Sequence, residues 1–273
     1  MPKNLYADLD MWERRYSYDE DLSDADRTEL EAIMETASRD CDTFCRTHFF
    51  AELATVILDG NGVPTLTVPD LLSVTSIKLD EDRDRTFETT LATSDYLLQR
   101  PFVPRPYDTK PYRRIVMDWV NGDFGRFVAQ ERLVEIIGEW GYTNDTEDTG
   151  ETVQDSSEQD ASQVTLLVSE GSKVSAGQTL LIGSEQEYVT AAPSTTLQVT
   201  RGVNGTTKAT HANGVTINRY VYLPKVRDAC LIQSIRLWKR KATGFVSREP
   251  PSGFAGFDVD AARLLQPFVR GDL

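Results

Sequence analysis

The sequence predicts an α+β protein in which two long helices, at about residues 24–49 and 224–243, flank a β-rich region and a small inserted all-β domain. Three observations lead to this prediction. Apolar residues recur every three or four positions in the two helical segments. Short apolar runs bounded by Gly, Pro, Asn or Asp fill the region between them. An acidic run divides those short runs into two groups.

The first helix is predicted from a continuous apolar stripe and a capping signal. Ser23, with Asp26 three residues later, is typical of a helix N-terminus. The residues at helical spacing are Leu30, Ile33, Met34, Ala37, Cys41, Phe44, Cys45, His48 and Phe49. A short helix is expected just before it, within "LYADLDMWERR". Such wide apolar faces need a partner, so we expect the two long helices to pack on each other or on neighbouring subunits.

The β-rich region spans roughly residues 53–142. "ATVILDGNGVPTLTV" places two apolar runs around residues 59–62, which predicts a β-hairpin. "SVTSIKLDED", "SDYLLQRP", "PYRRIVMDW" and "RLVEIIGEWGY" supply further strands. The Pro-rich "RPFVPRPYDTKP" is predicted to be a loop.

An acidic linker is predicted at residues 143–162. Residues 144–160 contain seven acids, no Lys or Arg, and Val153 as the single aliphatic residue. From residue 163 to 219, five short β-like runs indicate a small inserted β domain. The remaining segments, 1–142 and 220–273, are expected to form one domain with a helical core and a β-rich middle.

The second helix ends in a basic cluster, Arg236, Lys239, Arg240 and Lys241. These residues are candidates for contact with a ring neighbour or with DNA in a channel; helix-dipole complementation on a solvated face is an equally good interpretation. The tail beyond this helix keeps large apolar residues. It is expected either to dock on a partner or to fold back on its own subunit. Its candidate docking residues are Phe254, Phe257, Leu264, Leu265, Phe268 and Arg270.

Composition and motifs argue against several classes of protein. A formal charge of −14 and a pI near 4.6 disfavour a protein that coats nucleic acid. No signal peptide or membrane-spanning stretch is predicted, and the three cysteines are expected to be reduced thiols. Cys41, Cys45 and His48 are better read as core residues than as metal ligands. Residues 200–214 lack the spacing of a phosphate-binding loop and favour a turn in a β unit.

No catalytic constellation is recognisable either, because the chain has no G-x-S-x-G motif and its two histidines fall in no catalytic pattern. We therefore expect no enzyme, no cofactor and no metal.

Taken in order, several segments resemble the head–tail connector (head-completion, or adaptor) proteins of long-tailed bacteriophages. They are "LYADLDMWERR…LEAIMETASRDCDTFCRTHF", "ILDGNGVPTLTVPDLLSVTSIKLDED", "TSDYLLQRP", "RLVEIIGEWGY", "LPKVRDACLIQSIRLWKRKATGF" and "LLQPFVR". The resemblance covers about residues 5–142 and 220–270. The family passes from its W-G-Y strand end to the Pro-initiated helix within a few residues. Here roughly 80 residues intervene, which is the reason to expect an insert.

The resemblance implies an assembly role in the virion neck, after assembly in the host cytoplasm. Such proteins form a ring, commonly of about twelve subunits, that joins the portal to a stopper or tail protein while DNA passes through without sequence-specific binding. The tail would dock on the portal, and the insert could contact the capsid. Two alternatives stay open. One is another neck or tail-completion component such as a stopper, and the other is a carbohydrate-binding or hydrolytic β protein.

Overall fold

The computed structural model describes residues 4–16, 22–100, 111–155, 158–242 and 256–271. Two compact units are present. Unit 1 is built from Met1–His48 and Asp145–Gly271, and unit 2 from Phe49–Asn144. The mixture of helices and antiparallel sheets confirms the predicted α+β class. None of the described helices has the length and apolar character needed to span a membrane.

The helices of unit 1 are α1 (Leu9–Tyr16), α2 (Asp24–Cys45), α3 (Pro224–Ala242) and α4 (Val259–Leu265), and a 3₁₀ turn (Gln266–Phe268) follows α4. The predicted cap of α2 is confirmed, because the Ser23 hydroxyl accepts a hydrogen bond from the Asp26 amide. The helix ends four residues earlier than predicted. Arg46 adopts a left-handed conformation (φ 57°), which interrupts the helical hydrogen-bond ladder before the apolar pattern runs out.

Helices α2 and α3 pack on each other. This is the first of the two arrangements expected from the sequence, the other being packing on neighbouring subunits. Their contact buries Ser38 of α2 against Cys230 of α3, with the hydroxyl oxygen 3.3 Å from the thiol sulfur. The Cys230 thiol also lies 3.9 Å from the Met34 carbonyl oxygen. Small side chains at this crossing let the two backbones approach closely.

The sheet of unit 1 has the strand order β7-β14-β10-β11-β12-β9. Its strands are β7 (Thr146–Thr152), β9 (Thr165–Leu167), β10 (Thr179–Ile182), β11 (Glu185–Ala191), β12 (Thr196–Arg201) and β14 (Thr216–Tyr220). Two short strands, β8 (Glu158–Gln159) and β13 (His211–Ala212), pair separately. The five short runs predicted between 163 and 219 correspond to β9, β10, β11, β12 and β14.

The acidic segment predicted as a linker contains strands. Thr146–Thr152 is β7, which pairs with β14, and Glu158–Gln159 is β8, which pairs with β13. Two acids of β7, Glu147 and Asp148, are exposed on this edge strand, where charge is tolerated and discourages pairing with other chains. Glu151 is the exception. Its buried carboxylate accepts hydrogen bonds from the Ser169 hydroxyl and the Glu170 amide.

The division of the chain also differs from the predicted one, because the helices share a core with the sheet of residues 146–220. One buried cluster combines Trp12 of α1 and Leu30 of α2 with Tyr188 of β11 and Leu231 of α3. Polar contacts reinforce it: the Tyr188 hydroxyl donates to Glu31, and the side-chain amides of Asn4 and Asn204 bond to each other. In the chain it is therefore unit 2 that interrupts unit 1.

Unit 2 is one six-stranded sheet of order β1-β6-β2-β5-β4, with β3 paired to β2. The strands are β1 (Glu52–Gly60), β2 (Thr65–Leu79), β3 (Thr89–Thr90), β4 (Tyr96–Gln99), β5 (Tyr112–Met117) and β6 (Gln130–Trp140). Its inner face forms a core around Leu71, Ile77, Ile115 and Ile136.

The predicted hairpin between β1 and β2 is wrong. Both strands exist, but each pairs antiparallel with β6, which lies between them. The turn signal at residues 59–62 is real, since Asn61 bonds locally to Val63 and Thr65. The sequence pattern defines a turn but not the strand that completes the ladder. The inner face of β6, with Val134, Ile136 and Trp140 buried, is apolar enough to lie between the two strands.

Candidate functional sites

The C-terminal segment, residues 256–271, folds back on the helices of its own unit. The Phe257 ring stacks on Phe44 of α2 with centroids 5.0 Å apart. Leu265 is fully buried, and the Arg270 amide donates to the Cys45 carbonyl at 3.0 Å. The segment thereby covers the end of α2, where the helix leaves carbonyl groups without intrahelical partners.

Gln233 of α3 holds the start of this segment. Its side chain is fully buried, and both the oxygen and the nitrogen of its amide form hydrogen bonds. The amide oxygen accepts from the Asp258 backbone at 3.0 Å, and the nitrogen donates to the Gly256 carbonyl and to Asp40. Asp258 in turn caps α4 by accepting from the Asp260 and Ala261 amides. One buried amide therefore ties α2, α3 and α4 together.

The predicted docking residues divide into two groups. Phe257, Leu265 and Arg270 are buried within the chain, whereas Leu264 and Phe268 are only half-buried. Phe254 lies outside the described residues. The second of the two interpretations weighed from sequence, a tail that folds back on its own subunit, applies to residues 256–271. Leu264 and Phe268 retain the surface with which a partner could be contacted.

The basic end of α3 is partly packed. Arg236 and Arg240 are half-buried, and Lys239 is exposed with its ammonium 5.3 Å from the centre of the Tyr16 ring of α1. The side chain of Lys241 lies outside the described ones. These cations therefore take part in packing around the end of the helix, and Lys239 is the one with the most solvent-facing charge.

A buried ionic cluster, which the sequence reading missed, lies in the sheet of unit 1. Glu185 and Glu187 alternate along β11 on one face, and Arg201 of β12 lies beside them. The Arg201 guanidinium reaches Glu185 through two hydrogen bonds of 2.8 and 2.7 Å, and its Nε is 2.9 Å from Glu187. His211 of β13 completes the cluster, with its Nε2 3.0 Å from Glu185. A Glu-x-Glu pair on one strand and an Arg on the next was the available signal.

The two carboxyl groups of this cluster differ in their protonation. Burial raises the pKa of Glu187 to about 7, although the Arg201 charge opposes that shift. Burial acts in the same direction on Glu185, but hydrogen bonds from Arg201 and the Ala209 amide outweigh it and hold the pKa of Glu185 below its usual value. Burial also lowers the pKa of His211, so its imidazole is neutral near pH 7.

The cluster is better suited to structure than to metal binding. Glu185, Glu187 and His211 place potential ligand atoms within 4.8 Å of one another. The Arg201 guanidinium, however, already supplies the positive charge between the carboxylates, and Glu185 is saturated by donors from Arg201, Gly202 and Ala209. A buried ion pair with this degree of hydrogen bonding fixes strand register rather than binding a ligand.

A second acidic group lies in the β2–β3 loop and includes Asp80, Asp82, Asp84 and Glu88. The Asp80 carboxylate accepts from the Arg83 and Arg85 amides, both residues having positive φ. These acids therefore stabilise a tight loop by bonding its backbone.

Two motifs weighed from sequence have a structural explanation. Cys41 and Cys45 are buried in α2, and burial raises the pKa of the Cys41 thiol well above its ordinary value, which disfavours the thiolate that a metal requires. Among the described residues, neither cysteine belongs to a group of metal-ligand geometry with His48. Residues 202–206 form a turn after β12 that is fixed by Thr206 bonding to Val203 and Gln186.

Comparison of the chain with known protein families, with curated proteins and with solved structures found no match.

Proposed function

We propose that this chain is a structural virion protein that forms a ring, of about twelve subunits, between the portal and the stopper or tail of a long-tailed bacteriophage. It is assembled in the host cytoplasm and surrounds a channel through which DNA passes. The observation that carries the proposal is the packing of α2 on α3, since these are the helices whose sequences resemble the connector family and they lie far apart in the chain.

Within this proposal, the C-terminal segment, residues 256–271, is the element that faces the portal. Phe257, Leu265 and Arg270 of this segment are buried within the chain. Their burial keeps α4 folded and presents Leu264 and Phe268 at fixed positions. A preorganised apolar contact loses less conformational entropy on binding than a free tail would. The portal-docking role is therefore proposed for Leu264 and Phe268, with Phe257, Leu265 and Arg270 as their support.

The charge of the chain is compatible with a channel. With 43 acids against 29 basic residues, a subunit surface repels phosphate, so that DNA can slide without being held. Of the described side chains Arg236, Lys239 and Arg240, Lys239 is the exposed one, and we propose it as the contact with a ring neighbour or DNA.

The principal alternative is a stopper or tail-completion protein, which would also be built largely from β-strands. It is less well supported because the two long helices are the segments that resemble the connector family. A carbohydrate-binding or hydrolytic protein is weaker still, since the concentrated carboxylates of unit 1 are bonded to Arg201 and backbone groups and are buried.

Portal binding by point variants tests the role of the C-terminal segment. The variant L264D/F268D places two charges at half-buried positions of α4 and of the 3₁₀ turn that follows it. The control V259D places one charge at the start of α4, where Val259 is already 54% exposed. We expect L264D/F268D to lose co-purification with the portal protein of the same phage by at least roughly tenfold, and V259D to bind like the wild type. Equal binding by all three proteins would refute the docking role.

A further inference from the structure

Residues 4–16 of unit 1 form a strap that packs on both the long helices and the sheet of residues 146–220. The strap consists of a non-helical stretch, residues 4–8, followed by α1. Its buried apolar side chains share one cluster with residues of α2, α3 and β11, and those of the strap are Leu5, Ala7, Leu9 and Trp12. The strap therefore covers apolar surface that the helices and the sheet would otherwise expose.

A latch of buried polar side chains holds the start of the strap. The side-chain amides of Asn4 and Asn204 exchange two hydrogen bonds, of 2.8 and 2.9 Å. The Asn204 nitrogen also donates to the Gln186 side-chain oxygen at 2.7 Å, and the Thr179 hydroxyl donates to the Asn4 side-chain oxygen at 3.3 Å. All four residues are buried, so these bonds are made away from water, where a hydrogen bond has most effect.

The sheet side of the latch is preformed. Asn204 has a φ of 54°, a conformation that Asn adopts more readily than most residues other than Gly. The surrounding turn is held without the strap, because the Thr206 hydroxyl donates to the Val203 carbonyl and accepts from the Gln186 amide. The turn itself would accept Gly at position 204, and the side chain of Asn204 is what reaches the strap.

The sheet beneath the strap has a core of its own. Its outer strands, β7 and β9, meet just beyond their ends, where Val153 and Val168 form a β-bridge. The Gln154 amide donates to the Leu167 carbonyl at 2.9 Å beside this bridge. The sheet thus closes on itself around apolar residues that are separate from the cluster under the strap. Removal of the strap would leave this inner core covered.

Two polar groups of the strap lower the cost of opening it. The Asp8 carboxylate is buried, and its two hydrogen-bond donors within the described residues, the Met11 amide and the Gln178 side chain, are neutral. The Trp12 Nε1 is buried without a hydrogen-bond partner in the described part of the chain. Both groups regain water when the strap opens, which offsets part of the apolar burial that is lost. Helix α1 also touches α2 and α3 much less than these two helices touch each other.

We propose that the strap opens and closes as one unit over a sheet that stays closed, with Asn204 as its latch. The structure shows the closed state. Opening uncovers Leu30 and Met34 of α2 together with Tyr188 of β11, so it changes the apolar surface that unit 1 presents to a partner. The proposal concerns unit 1 alone and does not depend on the role proposed for the chain in a virion.

Two variants of the full-length chain release the strap by different means. Asn204→Gly keeps the left-handed backbone available but removes the latch amide. Gly177→Ala, at a φ of 92°, adds a Cβ that lies 2.7 Å from Leu5 and 3.3 Å from Leu9, both of which belong to the strap. Gly214→Ala is the matched control, because Gly214 has a φ of 86° in the same unit and an added Cβ would meet no atom within 4 Å.

Amide hydrogen exchange measured by mass spectrometry follows the strap and the closed sheet in the same sample, with thermal unfolding as the check of folding. In the wild type, the α1 amides should already exchange faster than those of β9 and β12. We expect exchange over α1 to accelerate at least roughly tenfold in N204G and in G177A, while β9 and β12 exchange as in the wild type. In G214A the strap should exchange at the wild-type rate.

Three results would overturn the proposal. Wild-type exchange of α1 in N204G would show that Asn204 is not a latch. Equal acceleration over α1, β9 and β12 would show that the strap opens only when the whole of unit 1 unfolds. Acceleration over α1 in G214A as large as in G177A would assign the effect to backbone strain rather than to the packing of the strap.

Discussion

The side chains with the most consequence for stability are the buried ionic residues of unit 1. Arg201, Glu185 and Glu187 are fully shielded from solvent, and a buried charge left without its partner costs roughly 3–5 kcal/mol. Glu185 accepts two hydrogen bonds from Arg201, whereas Glu187 has one contact with the Arg201 Nε. Replacement of each glutamate by the neutral Gln should therefore change the stability of the protein in opposite directions.

Substitution Glu187→Gln should stabilise the protein above neutral pH. The folded-state pKa of Glu187 is raised to about 7, above its unfolded value, so its contribution to stability is present at low pH and lost as pH rises towards and through about 7. The gain of E187Q over wild type should be near zero at about pH 4.5 and reach on the order of 2–3 kcal/mol at pH 8. Urea unfolding of both proteins across this range measures it.

Glu185→Gln is the matched control. The folded-state pKa of Glu185 is lowered, so its contribution is present above the unfolded pKa and E185Q should be destabilised at pH 7 by roughly 3 kcal/mol. A pH-independent difference between E187Q and wild type, or a stabilised E185Q, would contradict this account of the cluster.

Among the elements, α4 depends on one buried side chain. Gln233→Leu keeps the volume but removes the hydrogen bonds to Gly256, Asp258 and Asp40, leaving buried polar groups unpaired. We expect the free energy of unfolding to fall by about 2–3 kcal/mol. Relative to the wild type, amide exchange should accelerate more in Val259–Leu265 than in α2. Ser234→Ala is the control, because Ser234 is also buried in α3 but bonds to Leu231 of the same helix. Unchanged exchange in α4 would show that Gln233 does not hold it.

The elements differ in how far the sequence predicts them. The limits of α3 and the Ser23 cap of α2 follow from local signals that act within a few residues. The partner of β1 does not, because strand pairing is decided by which face of a distant strand is most apolar. The acidic residues 144–160 lack apolar periodicity, yet they contain β7, whose backbone pairs with β14 while Thr146, Glu147 and Asp148 face solvent.

The candidate sites follow the same rule. The apolar tail residues are visible in the sequence, but the burial of Phe257 depends on Phe44 of a helix more than two hundred residues earlier. The ionic cluster assembles from three strands, and its charges could not be told from solvated ones by sequence alone.

At the scale of the whole molecule, unit 1 should be the indivisible one. Its buried cluster joins α1, α2, α3 and the sheet of residues 146–220, so deleting residues 145–219 would expose Leu30, Met34 and Leu231 to solvent. Each exposed core side chain costs roughly 1.5–3 kcal/mol, and we expect the deleted protein to lose its helical circular-dichroism signal while the sheet of unit 2 stays folded. A folded helical remnant would instead support a separable insert.

The central claim is that this chain forms a ring on the portal. Electron cryomicroscopy of the full-length protein mixed with the portal of the same phage tests it most directly. The account predicts a coaxial ring of about as many subunits as the portal has chains, with the helices of unit 1 at the portal side. Subunits bound only below a different ring protein, or no density on the portal at all, would contradict it.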